Sequence, residues 1–226
     1  MTLFSQTTIS VSIKDCRKTI DNDRHGFREF SLYKNDSLYG KYNINNSSLI
    51  DSLPEGRYYI EYNTYFGTRK SESQYIDKNS FLPYFDVCVD EMTDELRKTT
   101  TNLFIDNLAN GEQVVISRLY SGCYSNNLDS LIVTKQKDSY YIIRNKRKLK
   151  LNTKRLILLQ DFEIQIRNFK KSNYYSTEMC YTWIESNGEK VSFQNPWGDW
   201  EGYEYLLIQI GFVKKRKSFP FREKYR

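Results

Sequence analysis

Up to residue 92 the chain shows almost no helical periodicity, and this limits its fold more than any other feature. Apolar and polar residues alternate in short runs separated by turn residues. TTISVSIKD puts Ile9, Val11 and Ile13 on one side, the period of a half-buried strand. REFSLYK and LYGKYNI follow, with Asn35-Asp36-Ser37 between them as a turn. Pro54-Glu55-Gly56 makes a tight turn. Beyond it Tyr58, Ile60, Tyr62 and Thr64 share one face, and FLPYFDVCVDEM closes the series. A succession of short strands of this kind predicts an antiparallel β-sandwich over residues 7–92.

The rhythm breaks at EMTDELRKTTTNLFIDNLANG, a polar stretch rich in Thr and Asn. It reads as a junction over residues 93–111, with a short helix around Asp94–Lys98. Residues 112–213 then mix both periods. EQVVISRLY and LDSLIVTKQKDSYYIIRNK read as strands, and the polar residues from Lys135 to Ser139 turn the second run back on itself. NTKRLILLQDFEIQIRNFKK is the best helix, capped by Asn152 or Thr153, with Leu156, Leu159, Phe162, Ile166 and Phe169 as its apolar stripe. EMCYTWIES and KVSFQNP return to strand around Asn187-Gly188, a hairpin signal. WEGYEYLLIQIGF is a second helix with Asp199 as cap and Trp200, Tyr203, Leu206, Leu207 and Ile210 inward. Strands, helix, hairpin and helix predict an α+β domain with two main helices, so the expected class of the whole chain is α+β: a sandwich followed by that domain.

The four cysteines divide two and two, Cys16 and Cys88 in the first half, Cys123 and Cys180 in the second. None stands in a CxxC, so the spacing does not read as a zinc or redox site. An even split suits one disulfide per domain in an oxidising compartment. Cys16 is expected near Cys88, because the first and last strands of a small sandwich can be neighbours, and Cys123 near Cys180. The opening MTLFSQTT reads either as an ordinary first strand or as the end of an apolar signal core with its cleavage site. It lacks the charged start and longer apolar run of a full signal peptide. With the paired cysteines, a periplasmic or extracellular location is expected, the cytoplasm being the alternative. No run of 18 apolar residues exists, so no transmembrane helix is expected.

Leu53, Pro54, Gly56, Tyr58 and Tyr59, with REFSLYKNDSLYGKY upstream, resemble the prealbumin-like sandwich domains of carboxypeptidase-regulatory-like and Cna-B-like modules. The resemblance covers roughly 80 residues and implies a scaffold or spacer without catalytic residues of its own. In the second half, Ser121-Gly122-Cys123, Asp161-Phe162-Glu163, Cys180-Tyr181 and Trp197-Gly198-Asp199-Trp200 resemble, in that order, small exported bacterial proteins of unknown role. That likeness implies no activity.

Chemistry is sparse. His25, the single histidine, sits in the polar turn DNDRHGF and reads as a solvated loop residue. Asp21, Asn22 and Asp23 lack the distal Glu and the loop spacing of an EF-hand, and no glycine-rich phosphate loop is present. Asp161 and Glu163 lie two apart on a helix and face different sides, so they read as surface charge, with Arg167 four residues beyond Glu163. No catalytic, metal or cofactor residue is assigned.

The net charge of +6 resides in the last thirteen residues, KKRKSFPFREKYR, and residues 1–213 balance at 27 basic and 27 acidic. The basic tail, 214–226, reads as a solvated end. Arg144 to Arg155 holds seven basic residues and no acid, Arg144, Lys146, Arg147 and Lys148 among them. Beside Tyr140 and Tyr141 it suits either a nucleic-acid surface or the wet end of a hairpin. The neutral body favours the second. Trp183, Trp197 and Trp200 suit a sugar platform or a partner hot spot, or else the core, Trp197 being the most loop-like. The expectation is an exported, non-enzymatic binding or accessory protein with a protein or glycan partner. An immunity-type or inhibitor protein is the alternative, and a cytoplasmic nucleic-acid-binding protein the second.

Overall fold

The computed structural model describes residues 7–17, 27–43, 47–77, 79–80, 82–122, 126–170, 178–196 and 200–214. Strand makes up 52% of them, in three sheets with three helices, so the fold is β-rich. The chain divides into two compact units, Met1–Cys16 with Asp23–Glu91, and Arg17–Asn22 with Met92–Arg226. No helix among the described residues is long and apolar enough to cross a membrane.

In the first unit, β1 (Thr7–Lys14), β4 (Ser47–Leu53) and β8 (Tyr84–Cys88) form a sheet of order β4-β1-β8. A second sheet has the order β3-β2-β5-β6, from β2 (Glu29–Lys34), β3 (Ser37–Asn43), β5 (Gly56–Thr64) and β6 (Gly67–Lys70), with β7 (Gln74–Ile76) also on β5. Alternation built both. Ile9, Val11 and Ile13 of β1 are buried, as are Tyr58, Ile60, Tyr62 and Thr64 of β5. The turn between β2 and β3 is made by Asn35 and Asp36 at φ 46° and 64°, the positive values that a two-residue hairpin loop requires.

One pairing corrects the purely antiparallel expectation: β1 and β8 run parallel, Lys14 opposite Cys88. Parallel neighbours need a long crossover, and here the other strands of the unit supply it. The pairing brings Cys16 and Cys88 to a Cα separation of 5.4 Å, joined as a disulfide. The Asp90 carboxylate accepts from the Cys16 N–H at 2.8 Å, and the Val89 N–H donates to the Lys14 carbonyl at 3.0 Å, so the ladder continues past the bridge.

The second unit holds a six-stranded antiparallel sheet, β12-β11-β10-β9-β13-β14. Its strands are β9 (Gln113–Ser121), β10 (Asn126–Gln136), β11 (Ser139–Arg144), β12 (Arg147–Lys150), β13 (Met179–Ser186) and β14 (Glu189–Pro196). Three helices join it: α1 (Asp94–Thr99), α2 (Thr153–Asn168) and α3 (Gly202–Ile210). The Asn152 side chain accepts from the Arg155 N–H and caps α2. Asn187 and Gly188, both at positive φ, turn β13 into β14.

The later part of the stretch read as a junction, Leu103 to Leu108, packs into the second unit. Met92, Leu103, Ile105 and Leu108 are buried, and Thr93 caps α1 by accepting from the Leu96 N–H. The α2 stripe is also broader than its spacing implied. Leu159, Phe162 and Ile166 are buried, but so are Glu163, Ile164 and Gln165, which encloses the C-terminal half of the helix. Glu163, expected on the surface, is wholly buried. It accepts from the N–H groups of Phe104 and Ile105 at 2.7 and 3.2 Å and pairs with Arg167 at 2.7 Å. The segment after α1 thus contributes donors that no helical spacing could reveal.

Candidate partner-binding face

The two faces of the six-stranded sheet differ, and strand parity assigns every residue to one of them. The helix-covered face carries Val114, Ile116, Leu131, Val133, Ile142 and Ile184, all buried. Phe193 on that face stacks on Phe169 at 4.2 Å, and Arg118 forms an ion pair with Glu204 of α3.

The opposite face meets no described helix of this unit, and register sets it out in rows. Leu128, Leu119 and Tyr181 lie side by side, as do Ser130, Ser117 and Trp183, and Ile143, Ile132 and Val115. Leu128 is 59% and Tyr181 38% exposed, and Leu119, Trp183, Ile132, Ile143 and Val115 are half-buried. Lysines border this surface. Lys190 stands 4.5 Å from the Trp183 ring and Lys148 4.2 Å from the Tyr141 ring, both in cation–π range. Lys148 also donates to Gln136 Oε1 at 3.0 Å. In the middle, the Ser117 and Ser130 hydroxyls bond to each other at 2.9 Å, so the polar atoms between the apolar rows are satisfied.

Of the residues singled out from the sequence, Trp183 and Lys148 come together on this face. Lys150, two residues further along β12, shares it, but Arg144, Lys146 and Arg147 do not, because a strand sends successive side chains to opposite sides. Arg144 lies on the covered face, held by Asp129 in a two-pronged pair at 2.9–3.1 Å. Arg147 sits 5.7 Å from the Phe212 ring, and Lys146 occupies the turn at φ 67°. Trp200, read from the sequence both as an inward residue of the last helix and as a candidate surface residue, is core, ringed by Phe162, Phe169 and Phe193 at centroid distances of 4.9–5.8 Å. Trp197, His25, Asp199, Cys123 and tail residues 215–226 lie outside the described residues.

Cys180 is a buried free thiol, accepting from Arg118 at 3.2 Å. The expected Cys123–Cys180 bridge involves Cys123 and so lies outside the described residues. Burial pushes the Cys180 thiol up, and Arg118 only partly opposes this, so the group is a neutral thiol at pH 7 rather than a nucleophile. Burial, and then the Asp129 carboxylate, likewise raise the Tyr203 hydroxyl far above its ordinary range. Together Arg118, Glu204, Asp129, Arg144, Tyr203 and Cys180 make a polar layer beneath the helices, fitted to fix α3 on the sheet. Sequence reading missed Arg118, Asp129 and Glu204, since their pairing needs the strand register. In the first unit, Cys16, Cys88 and Asp90 lie within ligand reach of one another, but the two sulfurs are bonded and provide no thiolate. Comparisons with protein-family models, with curated proteins and with solved structures find no match.

Proposed function

We propose that this chain is an exported, non-catalytic binding protein that docks a protein partner on the open face of its six-stranded sheet. The observation that carries the reading is the contiguous row Leu128, Leu119 and Tyr181 beside Trp183, left half-exposed on a face without a helix. Large apolar surface of this kind, rimmed by polar groups, is typical of recognition sites. The rim lysines, Lys148, Lys150 and Lys190, suit a partner with acidic residues around an apolar centre. A protein partner is favoured over nucleic acid because the basic run is divided between two faces and a turn, so it offers no continuous cationic stripe.

Export is supported by the Cys16–Cys88 disulfide, since such bonds persist in oxidising compartments. A sandwich arrangement of the first unit, and with it the prealbumin-like resemblance, is supported by two sheets that each bury one alternating face. The second unit as an α+β layer is supported by the packing of α2 beside β13 and β14.

The test is a photo-crosslinker placed at Tyr181, with a control at Tyr75 in the first unit. The captured partner is then purified and its affinity measured directly. Crosslinking from Tyr181 alone, and at least tenfold weaker binding of Leu128→Asp and Trp183→Ala variants, is the expected result. Equal affinity of the purified partner for variants and parent would remove the face from consideration.

A further inference from the structure

The first unit carries a second site of different chemistry. The sheet β3-β2-β5-β6 buries Phe30, Leu32, Tyr58, Ile60 and Tyr62 on one face. Its other face is polar and bears a groove of about 430 Å³. That volume lies in the range of small-ligand sites. Two observations separate the groove from an ordinary wet strand surface.

The first is its floor and curvature. Phe30 and Tyr42 stack at 5.4 Å beneath the groove strands, which stiffens them. The β2–β3 register shifts between Leu32 and Tyr33, and such a bulge bends the sheet at the groove's end. The second is how its polar groups are used. Glu61 is held in place, accepting from the Tyr33 hydroxyl at 2.9 Å and pairing with Lys70 at 3.3 Å. Asn63 accepts from the Thr68 hydroxyl at 2.9 Å. These groups are pre-oriented and retain free lone pairs. Next to them the side chains of Glu29, Ser31, Lys41 and Asn43 line the same groove, and among the described residues none has a hydrogen bond. Donors and acceptors therefore both line the groove.

The charge balance selects the ligand. Glu29 and Glu61 are matched by Lys41 in the groove and Lys70 at its edge, so neither a polyanion nor a polycation finds a surplus of the opposite sign. A neutral polyhydroxylated chain fits, since each hydroxyl both donates and accepts. Tyr33 and Tyr59, parallel at 4.9 Å on the same face, add half-exposed aromatic surface for the C–H faces of a sugar. We propose that this groove binds a neutral oligosaccharide, independently of the partner face on the other unit.

The experiment is calorimetric titration of the full chain with linear oligosaccharides of glucose and of N-acetylglucosamine. Lysine-rich and glutamate-rich peptides serve as competing probes. The variant is Glu29→Ala/Lys41→Ala/Asn43→Ala, three exposed positions whose loss leaves the melting temperature in place. The expected result is binding of a neutral oligosaccharide that is insensitive to added salt and weakened about tenfold or more in the variant. No neutral sugar bound at about 10 mM, undiminished binding in the variant, or preference for a charged peptide would each overturn the assignment.

Discussion

At Glu163 a carboxylate without solvent exposure accepts from two backbone N–H groups and one guanidinium. Removing one member of such a set leaves the others desolvated and unpaired. Glu163→Ala is expected to cost about 3–5 kcal/mol, read as a lower midpoint in urea. Glu163→Gln, which still accepts, should cost less. A cost below about 1 kcal/mol for the alanine variant would show that the carboxylate does not anchor residues 104–105. The Glu163–Arg167 spacing was visible in the sequence as an i,i+4 pair. Its burial was not, because the partners that make burial tolerable lie some sixty positions away. Cys180 is the other residue whose state depends on its surroundings. Its raised thiol pKa and near-complete burial predict very slow alkylation in the native protein and prompt alkylation in denaturant. Site-resolved mass spectrometry checks this, and a Cys123–Cys180 disulfide recovered from non-reduced protein would contradict the free thiol.

Among the elements, the hairpin β11–β12 shows best how alternation and a two-residue turn together sort a run of like charges: the turn at Asn145 and Lys146 pairs Arg144 with Arg147 on one face, so Lys148 falls on the other. Arg144 and Lys148 stand four apart, yet one is a structural ion pair and the other an exposed rim residue. Arg144→Ala should therefore destabilise by about 1–2 kcal/mol, between the values for exposed and buried pairs, since Asp129 loses its partner while partly shielded. Lys148→Ala should stay within about 0.5 kcal/mol. Thermal melts of the two variants decide, and equal effects would argue against the division of the basic run between faces. Helix α2 makes a similar point. Its start was legible because Asn152 caps by a local bond, and Asn152→Ala is worth about 1 kcal/mol. Its buried circumference was not legible, because spacing registers only apolar side chains, while Glu163 and Gln165 are buried as polar ones.

For the whole molecule, two global conditions test the architecture. The Cys16–Cys88 bond spans a sequence separation of 72, so reducing it restores considerable freedom to the unfolded first unit. Reductant is expected to lower that unit's stability by about 2–4 kcal/mol, seen as an earlier transition in calorimetry. Alkali is the second condition. Burial, with the neighbouring Tyr39 and Tyr42, pushes Tyr58 up to about 12 from an ordinary 10.0. Its neutral form contributes stability that is complete below pH 10 and is lost as pH rises from 10 to about 12, because only the unfolded chain releases the proton in that window. The loss is on the order of 2–3 kcal/mol for this residue. Tyr62 and Tyr203, raised in the same direction, add to it. Tyrosinate absorbance and circular dichroism should therefore change together above pH 10, and independent titration of Tyr58 in a folded protein would contradict its burial. Strand positions, hairpin turns and the α2 cap could be read from the sequence alone, since each depends on neighbours within a few residues: Asn35-Asp36 at its turn, Ile9, Val11 and Ile13 along β1. The pairing of Cys16 with Cys88 was also anticipated. The parallel sense of β1 and β8, the burial of Leu103, Ile105 and Leu108, the burial of Glu163 and the separation of Lys148 from Arg144 were decided only by tertiary structure. Each depends on which distant strand or helix supplies the other half of a contact, and a hydrogen bond or a buried surface has no sequence signature until both halves are placed.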